Sequence, residues 1–377
     1  MEALRVQARK ACDDERFRRA LWRHCRYVDG AGPADLITTV HPGDQMLEHS
    51  LRHFGDANFA VSQYFNVALQ QHNAAQQILR HAFPRDWIHR EVLDFACGYG
   101  RHLRLMTLAI PAANVWASEI QADALEFVAA RFGVHAVASS ADPAAFDPGR
   151  RFDVIWVASL FSHLPDALFR GWLKALLGFL KPEGLLCFSV HDERELSDAR
   201  LMTPSGIHFH PASEIAQLDH AIYGTSFVSH RYVDEAIASA GPQATSRLRI
   251  PRGIAGQQDL FVVSLAANDR MATLPFRKGP WGWVDAIGLA RGELRIEGWA
   301  GSLDDGRIGE VEVRLDGESF RVPTDLARAD VRPVTGHDRC GFEFKAKVAQ
   351  AREVFVEVSA ESRGQAALLY AGALKGS

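Results

Sequence analysis

The sequence predicts an α/β protein in which a mostly parallel sheet follows N-terminal helices and precedes an antiparallel β-sandwich. Two patterns predict this fold class. In the middle of the chain, apolar runs of strand length alternate with helix-like segments, as in parallel sheets that helices cover on both faces. Near the C-terminus, short strands of alternating polarity are separated by turns such as Asp316-Gly317. The 377 residues leave room for two or three domains.

These patterns predict four segments along the chain. Residues 1–58 form an N-terminal helical segment, in which Phe17 and Leu21 recur at helical spacing. Residues 59–267 form the α/β domain. The stretch 268–283 contains two prolines and mixed charge, which is typical of a linker. Residues 284–377 form the β-sandwich.

Within the α/β domain the elements follow one another in a regular order. An amphipathic helix over residues 61–79 ends near Pro84, because proline cannot continue a helix. Apolar runs then predict buried strands, and the intervening segments show helical periodicity. The predicted strands cover residues 91–96, 114–119, 135–139, 152–158, 185–190, 246–250 and 259–265, and the predicted helices 101–109, 122–132, 166–180 and 230–240.

Composition excludes several classes of protein. Lys plus Arg is 42 and Asp plus Glu is 46, a net charge of −4, which argues against a nucleic-acid partner. No stretch has the roughly 20 apolar residues of a membrane span, and charges stand where a signal peptide has its apolar core. The five cysteines form no CxxC pair, so we expect a cytoplasmic protein without disulfides or bound metal.

A glycine-containing loop follows the first predicted strand of the domain. The strand carries Asp94, and Gly98 and Gly100 come directly after it. Glycines let a ligand approach the backbone closely. A dinucleotide fingerprint needs a third glycine where this chain has Leu103, and a carboxylate here repels a diphosphate. The loop therefore favours a ligand with an amino-acid head, and Glu119 at the end of the next strand is suited to hold ribose hydroxyls.

In this order the motifs resemble those of the class I S-adenosylmethionine-dependent methyltransferases, over about residues 60–266. VLDFACGYGR (92–101) is similar to their glycine motif, with Ala96 where the family often has its first glycine. VWASE (115–119) resembles their acidic strand end, and SSADPAAF (139–146) the segment that borders the adenine. FDVIWVASLFSHLPD (152–166) resembles their fourth strand with its following loop. The resemblance implies a Rossmann-like methyltransferase fold with a mostly parallel seven-stranded sheet.

The resemblance also implies S-adenosylmethionine as the cofactor and assigns residues to it. The residues implied in cofactor binding are Asp94, Ala96, Cys97, Gly98 and Gly100 around the methionine part, Glu119 at the ribose, Ile120, Ala141 and Asp142 at the adenine, and Ala158 and Ser159 beside the sulfonium. Each has a simpler explanation when taken alone: a tight glycine turn, or an acid that caps a helix. Their joint order on an alternating α/β pattern favours the cofactor.

Methyl transfer requires positioning of the acceptor, and a hydroxyl acceptor also benefits from a base. His163 follows the fourth strand and His191 follows the fifth, so both are candidate catalytic residues. The alternatives are a packed histidine for His163 and a solvated strand exit for His191. His208 and His210 form an H-x-H pattern, for which a metal site is the less favoured interpretation because no carboxylate cluster lies nearby.

The segment 206–231 interrupts the alternation after the fifth strand, where insertions commonly cover the substrate in this fold. Tyr223 and Ser229 are therefore candidate substrate-binding residues, although the segment YGTS (223–226) also has the composition of a plain turn. Tyr64 and Phe65, on the preceding helix, are explained equally by contact with the cofactor and by core packing.

The C-terminal segment resembles a β-module appended to bacterial glycosyltransferases and to enzymes of surface-glycan assembly. GWA (298–300), LARADVRP (326–333) and CGF (340–342) carry this resemblance. Trp281, Trp283 and Trp299 are suited either to stack on sugars or to fill the core, and the module could equally form a homodimer.

We therefore expect an S-adenosylmethionine-dependent methyltransferase that acts on a small-molecule or glycan acceptor, through a hydroxyl. Two other functions stay open. One is a carbohydrate-binding or scaffold protein with a degenerate methyltransferase domain. The other is a nicotinamide-dependent oxidoreductase, against which the missing third glycine argues.

Overall fold

The computed structural model describes residues 1–212, 219–241, 246–267, 269–348 and 353–376. The chain divides into two compact units. Unit 1 joins residues 1–73 to residues 277–377, and unit 2 comprises residues 74–276. The four predicted segments stay a prediction, because compact units record contacts rather than independent folding.

The helices and strands have the following bounds. The helices are α1 (Glu2–Asp13), α2 (Glu15–His24), α3 (Gln45–Phe54), α4 (Ala57–Ala82), α5 (Leu103–Ala109), α6 (Ala122–Phe132), α7 (Asp166–Gly178), α8 (His230–Ala240), α9 (Asp269–Ala272) and α10 (Arg332–Thr335). The strands of unit 2 are β1 (Val92–Phe95), β2 (Val115–Glu119), β3 (His135–Ala138), β4 (Phe152–Val157), β5 (Leu180–Asp192), β6 (Ile207–His210), β7 (Thr225–Val228), β8 (Ser246–Ile254) and β9 (Gln258–Ser264). The strands of unit 1 are β10 (Pro280–Ala290), β11 (Glu293–Ser302), β12 (Gly306–Arg307), β13 (Glu310–Leu315), β14 (Glu318–Pro323), β15 (Leu326–Ala327), β16 (Arg339–Lys347), β17 (Glu353–Ser362) and β18 (Gln365–Lys375). Within the described residues, no helix combines the length and the apolar character that a bilayer crossing demands.

Unit 2 contains a central sheet in the order β3-β2-β1-β4-β5-β9-β8. The five strands from β3 to β5 are parallel, whereas β9 is antiparallel to both β5 and β8. This is the mostly parallel seven-stranded sheet that the sequence predicts, and the predicted fold class is confirmed. The carboxyl ends of the parallel strands share one edge, which we call the carboxyl edge. Because β9 runs in the opposite direction, its first residues also lie at this edge.

Strand β5 is longer than predicted and carries an additional hairpin. It covers residues 180–192 instead of 185–190. Its central part pairs with β9, but His191 and Asp192 pair in parallel with β7, which pairs antiparallel with β6. The segment 206–231, for which the sequence predicts a loop or strand at His208 and His210 and allows a turn at 223–226, thus contributes these two strands at the carboxyl edge. The strands are short and of mixed polarity, so periodicity gave only a weak signal for them.

The core of unit 2 is rich in aromatic side chains because strands buried on both faces need large apolar residues. Phe95 of β1 lies with its ring centroid 4.7 Å from that of Trp172 on α7 and 5.2 Å from that of Phe146. Phe188 of β5 stacks on Phe261 of β9 at 5.4 Å. This packing fixes the strands whose ends carry the candidate site.

Unit 1 contains two antiparallel sheets, which form the predicted sandwich. One has the order β10-β11-β16-β15 with β12 beside β11, and the other β14-β13-β17-β18. Their facing sides share one apolar cluster that includes Ile296, Val313 and Val356. Trp299 is 9% exposed and packs with Trp281 and Trp283 around Val331. This packing agrees with the core interpretation of Trp299.

A buried ion pair joins α2 to β17 within unit 1. The side chain of Glu357 is 1% exposed and accepts hydrogen bonds from His24 Nε2 at 2.9 Å and from the guanidinium of Arg23. Burial alone raises the pKa of Glu357, but the hydrogen bonds from His24 and Arg23 outweigh it and lower this pKa below its ordinary value of 4.5. A lowered pKa means that the carboxylate stabilises the fold above pH 4.5 and loses this contribution as pH falls through the folded-state pKa.

We expect Glu357→Gln to lower the free energy of unfolding by about 2 kcal/mol at pH 7, because it leaves two basic side chains without their buried carboxylate. Urea denaturation measures the change, and the difference from the native protein should shrink as pH falls below 4.5. Glu353→Gln is the matched control, since Glu353 pairs with Arg16 at the surface and should change stability by less than about 0.5 kcal/mol. Equal losses in the free energy of unfolding for Glu357→Gln and Glu353→Gln would contradict the assignment of Glu357 to a stabilising buried ion pair.

Candidate active site

The loop between β1 and α5 has a backbone that few residues adopt. Ala96, Gly98 and Gly100 all have positive φ angles, of 58°, 55° and 76°. At Gly100 a Cβ atom would come within 2.5 Å of the Phe132 ring, so no side chain fits there. At Gly98 a Cβ would meet no atom within 4 Å, which means that open space lies against the loop. Ala96 adopts the left-handed conformation although it is not glycine, at a cost of about 1 kcal/mol.

Asp94, at the carboxyl end of β1, is a buried acid that lacks full compensation. It is 3% exposed, and Oδ2 accepts no hydrogen bond from any residue that the structure describes. Burial, and then the nearby charge of Glu119, raise the pKa of Asp94 to about 8. His102 Nδ1 lies 3.9 Å from Oδ2. A buried acceptor of this kind favours a cationic ligand that donates hydrogen bonds.

Glu119, at the end of β2, ties the glycine loop to the neighbouring strand. Its Oε2 accepts from the backbone N–H of Gly98 at 2.9 Å, and Oε1 accepts from those of Ile120 at 2.8 Å and Gln121 at 3.1 Å. Burial raises its pKa. A carboxylate has about four lone-pair positions, and the Gln121 side chain also donates to Glu119, so the four donors occupy about all of them. The predicted grip on both ribose hydroxyls would displace a backbone bond.

The other residues assigned to the cofactor line the same edge with varied exposure. Ile120 is 45% exposed, and Ala141 and Asp142 are exposed as well. Asp142 Oδ1 accepts from the backbone N–H of Ala144 at 2.9 Å, as the simpler helix-cap explanation requires. Burial raises the pKa of the Cys97 thiol, which disfavours a reactive thiolate. The roles of these residues toward a cofactor stay predictions.

A hydrogen-bonded network connects the ends of β4, β5 and β9. Ser159 has a φ of 64°, and its backbone N–H donates to Ser189 Oγ at 2.8 Å. The hydroxyls of Ser159 and Ser189 both donate to Gln258 Oε1, at 3.1 and 2.6 Å. Gln258 Nε2 lies 3.2 Å from His191 Nε2. Sequence reasoning missed Gln258; the only signal was a polar residue at the start of the last strand.

The predicted residues His163, His191 and Tyr223 come together beside this network. His163 is 6% exposed, and its Nδ1 lies 2.7 Å from the carbonyl oxygen of Gly224. A carbonyl only accepts, so Nδ1 carries the proton and Nε2 is the acceptor nitrogen of the neutral ring. Tyr223 stacks on this ring at 4.6 Å, and the His191 ring lies 6.3 Å away.

Ser229 has a local structural role instead. Its hydroxyl accepts from the backbone N–H of Tyr232 at 3.2 Å and caps α8. Capping accounts for a serine at this position, so nothing in its contacts favours substrate binding, and that assignment stays a prediction.

Four further candidates have other surroundings. His208 and His210 lie on β6, and the described residues contain no group of three potential metal ligands. Tyr64 belongs to unit 1, where its hydroxyl donates to Asp44 Oδ2 at 2.6 Å and its ring packs on Phe65 at 5.2 Å. Core packing within unit 1 therefore accounts for both aromatic residues.

Comparison with known proteins identifies the class of unit 2. A family model described as a methyltransferase domain matches residues 92–184. Unit 2 therefore contains a segment that matches a methyltransferase domain, and this segment includes the parallel strands β1 to β4 of the central sheet. No curated protein matches the chain in sequence.

Solved structures of methyltransferases are similar to part of the chain. CalS10, an amino pentose methyltransferase from Micromonospora echinaspora, has 20% identity and a TM-score of 0.39, over 52% of this chain and 92% of that chain. DesVI from Streptomyces venezuelae has 16% identity and a TM-score of 0.41, over 55% and 95%. The 1,6-didemethyltoxoflavin-N1-methyltransferase of Burkholderia thailandensis has 20% identity and a TM-score of 0.37, over 58% and 85%. We base no functional argument on likenesses of this strength.

The residues of the carboxyl edge fit S-adenosylmethionine, the cofactor that the sequence motifs imply. The cofactor carries a cationic amine, and Asp94 Oδ2 is a buried acceptor without a hydrogen bond from the described residues. It carries a ribose, and the Glu119 carboxylate lies beside the loop, where a ribose hydroxyl can replace the Gln121 side chain as a donor. Open space lies against Gly98, where a side chain would intrude.

We expect Ala96→Gly to raise the free energy of unfolding by about 0.5–1 kcal/mol, because glycine adopts a positive φ without a Cβ clash. Chemical denaturation measures this change. Ala130→Gly, at an exposed helical position of α6, should instead lower stability by about 0.5–1 kcal/mol. If Ala96→Gly and Ala130→Gly lowered the free energy of unfolding equally, the left-handed conformation of Ala96 would have no energetic cost.

Proposed function

We propose that the protein transfers a methyl group from S-adenosylmethionine to a hydroxyl of a small molecule or glycan. The observation that carries the choice of a hydroxyl is the hydrogen bond between His163 Nδ1 and the carbonyl of Gly224, at 2.7 Å. It makes Nε2 the acceptor nitrogen in the neutral ring. A hydroxyl acceptor loses a proton on methylation, and a histidine with its tautomer fixed in this way is suited to take that proton.

The cofactor would be held at the carboxyl edge by residues of three strand ends. Asp94 would accept from its amine, Glu119 from a ribose hydroxyl, and the loop from Ala96 to Gly100 would lie against its methionine part. When bound, the cofactor supplies a methyl group activated by a positively charged sulfur, so the protein's main contribution is to orient the acceptor and exclude water. Ala158 and Ser159, after β4, would border the reacting group.

The acceptor would approach from the side of the β6–β7 hairpin. Tyr223, stacked on His163, supports an aromatic wall for a sugar or another flat polar ring. The glycan part of the proposal depends on the resemblance of the sandwich to modules of glycan-assembly enzymes. Cytoplasmic location and a homodimer also stay predictions.

A direct assay tests the proposal. The protein is incubated with methyl-labelled S-adenosylmethionine and a panel of nucleotide sugars, glycan fragments and simple phenols, and label transfer is measured. We expect transfer to a hydroxyl of one class, and alkali-stable ether products. Cofactor binding without transfer to any member of a broad panel would instead favour a scaffold protein, and transfer only to amines would refute the hydroxyl assignment.

We expect Glu119→Ala to weaken S-adenosylmethionine binding by about 1–3 kcal/mol, or roughly 5- to 150-fold, because hydrogen bonds to a charged group are lost. Titration calorimetry measures the dissociation constant. Glu126→Ala, at an exposed position of α6, is the matched control and should bind as the native protein does. Unchanged affinity in the Glu119 variant would overturn the ribose assignment.

Cofactor binding should release a proton below pH 8. Burial and Glu119 raise the pKa of Asp94 to about 8, so this acid is largely protonated at pH 6–7 and must ionise to hold a cation. Affinity should therefore rise with pH, by up to about tenfold per unit. Calorimetry in two buffers of different ionisation enthalpy measures the released protons.

Asp94→Asn is the control for this pH dependence. It separates Asp94 from the neighbouring groups that also titrate, Glu119, His102 and Cys97, and it should abolish the proton release. Equal binding heats in the two buffers for the native protein would contradict the prediction.

A further inference from the structure

The hydrogen bonds around Gln258 define the orientation of its side-chain amide. Ser189 Oγ accepts from the backbone N–H of Ser159, and its own proton then needs an acceptor. The atom of Gln258 that lies 2.6 Å from Ser189 Oγ is at the distance of an O–H···O bond, shorter than the usual N–H···O bond. This atom is therefore the amide oxygen, and it accepts from Ser159 Oγ as well.

The opposite end of the amide is a donor, and this determines the tautomer of His191. Gln258 Nε2 lies 3.2 Å from His191 Nε2 and 3.5 Å from Ser162 Oγ. Ser162 Oγ donates to the carbonyl of Ser159, so it can receive an amide proton. Because an amide nitrogen only donates, His191 Nε2 must accept, and the neutral ring then carries its proton on Nδ1.

The two histidines thus have the same tautomer but are oriented through opposite nitrogens. In His163 the carbonyl of Gly224 places the proton on Nδ1 and leaves Nε2 as the acceptor. In His191 Nε2 is already engaged by Gln258, so its second nitrogen is a donor. Both neutral rings therefore carry their proton on Nδ1, by different routes, and in His191 the acceptor nitrogen is already occupied by Gln258.

We propose that Gln258 is a positioning residue that holds His191 as a hydrogen-bond donor toward an oxygen of the methyl acceptor, so that His191 itself does not act as the base. The inference rests on the proposed function in one respect, that the ligand of this edge is a methyl acceptor. The same amide holds Ser159 in its left-handed conformation, a strained geometry that persists only where its surroundings impose it.

The experiment reads the tautomer of His191 directly. Protein labelled with ¹⁵N in its histidine rings is examined by long-range ¹H–¹⁵N correlation at pH 8, above the ordinary histidine pKa of about 6.5. The His191 signals are assigned by their loss in His191→Gln. We expect the shift of an unprotonated nitrogen at Nε2 and of a protonated nitrogen at Nδ1.

Gln258→Glu should reverse this pattern. One carboxylate oxygen still accepts from the two serine hydroxyls, but the other now faces His191 Nε2 and requires a proton there. The matched control is Gln257→Glu, which adds the same charge at the adjacent, exposed position and should leave the His191 shifts unchanged. If Gln258→Glu does not fold, Gln258→Met removes the donor and should raise the Nε2-protonated fraction.

Either of two results would overturn the proposal: a protonated Nε2 in the native protein, or His191 shifts that no Gln258 variant changes. The measurement needs neither cofactor nor methyl transfer. If the tautomers are as expected but no acceptor is ever methylated, the proposed function fails and the assignment of Gln258 as the residue that orients His191 stands. If methylation occurs and the native tautomer is reversed, the inference fails alone.

Discussion

The constraint on which the candidate site depends is the buried carboxyl group of Asp94. A chain gains nothing in stability from an acid that is 3% exposed and has an oxygen without a hydrogen bond from the described residues. The loop beside it adds a second cost, since Ala96 holds a left-handed backbone. Costs of this kind cluster at binding sites, where a ligand supplies the missing partner. The glycine loop, Glu119 and the order of the strands together surround this acid at the carboxyl edge.

Hydrogen-bond direction then distinguishes side chains that look equivalent in the sequence. His163 and His191 both follow strands and both qualify as bases. A backbone carbonyl orients one and a side-chain amide orients the other, at 2.7 and 3.2 Å. Since a carbonyl only accepts and an amide nitrogen only donates, the orienting bond occupies the donor nitrogen of His163 and the acceptor nitrogen of His191. The two histidines therefore differ in the chemistry of their hydrogen-bond partners, although both lie near the ends of strands.

The sequence predicted what depends on local pattern. The alternation of strands and helices, the acids at the ends of β1 and β2, and the meeting of His163 with His191 all follow from periodicity and from the shared edge of parallel strands. Gln258 was not predicted as a site residue, because it lies at the carboxyl edge only through the antiparallel direction of β9. An apolar run in a sequence does not show the direction of the strand that it forms. The cap that Ser229 forms on α8 was not predicted, because a serine in an inserted segment carries no sign of a helix cap.

The composition of unit 1 has a consequence for how the protein forms. His24 and its partner Glu357 are 333 positions apart, and between them lies the whole of unit 2. During synthesis on a ribosome, residues 74–276 emerge with all their own strands, while α2 still awaits β17. Unit 2 can thus complete its sheet first, and the early helices remain unprotected against proteases until the last strands arrive.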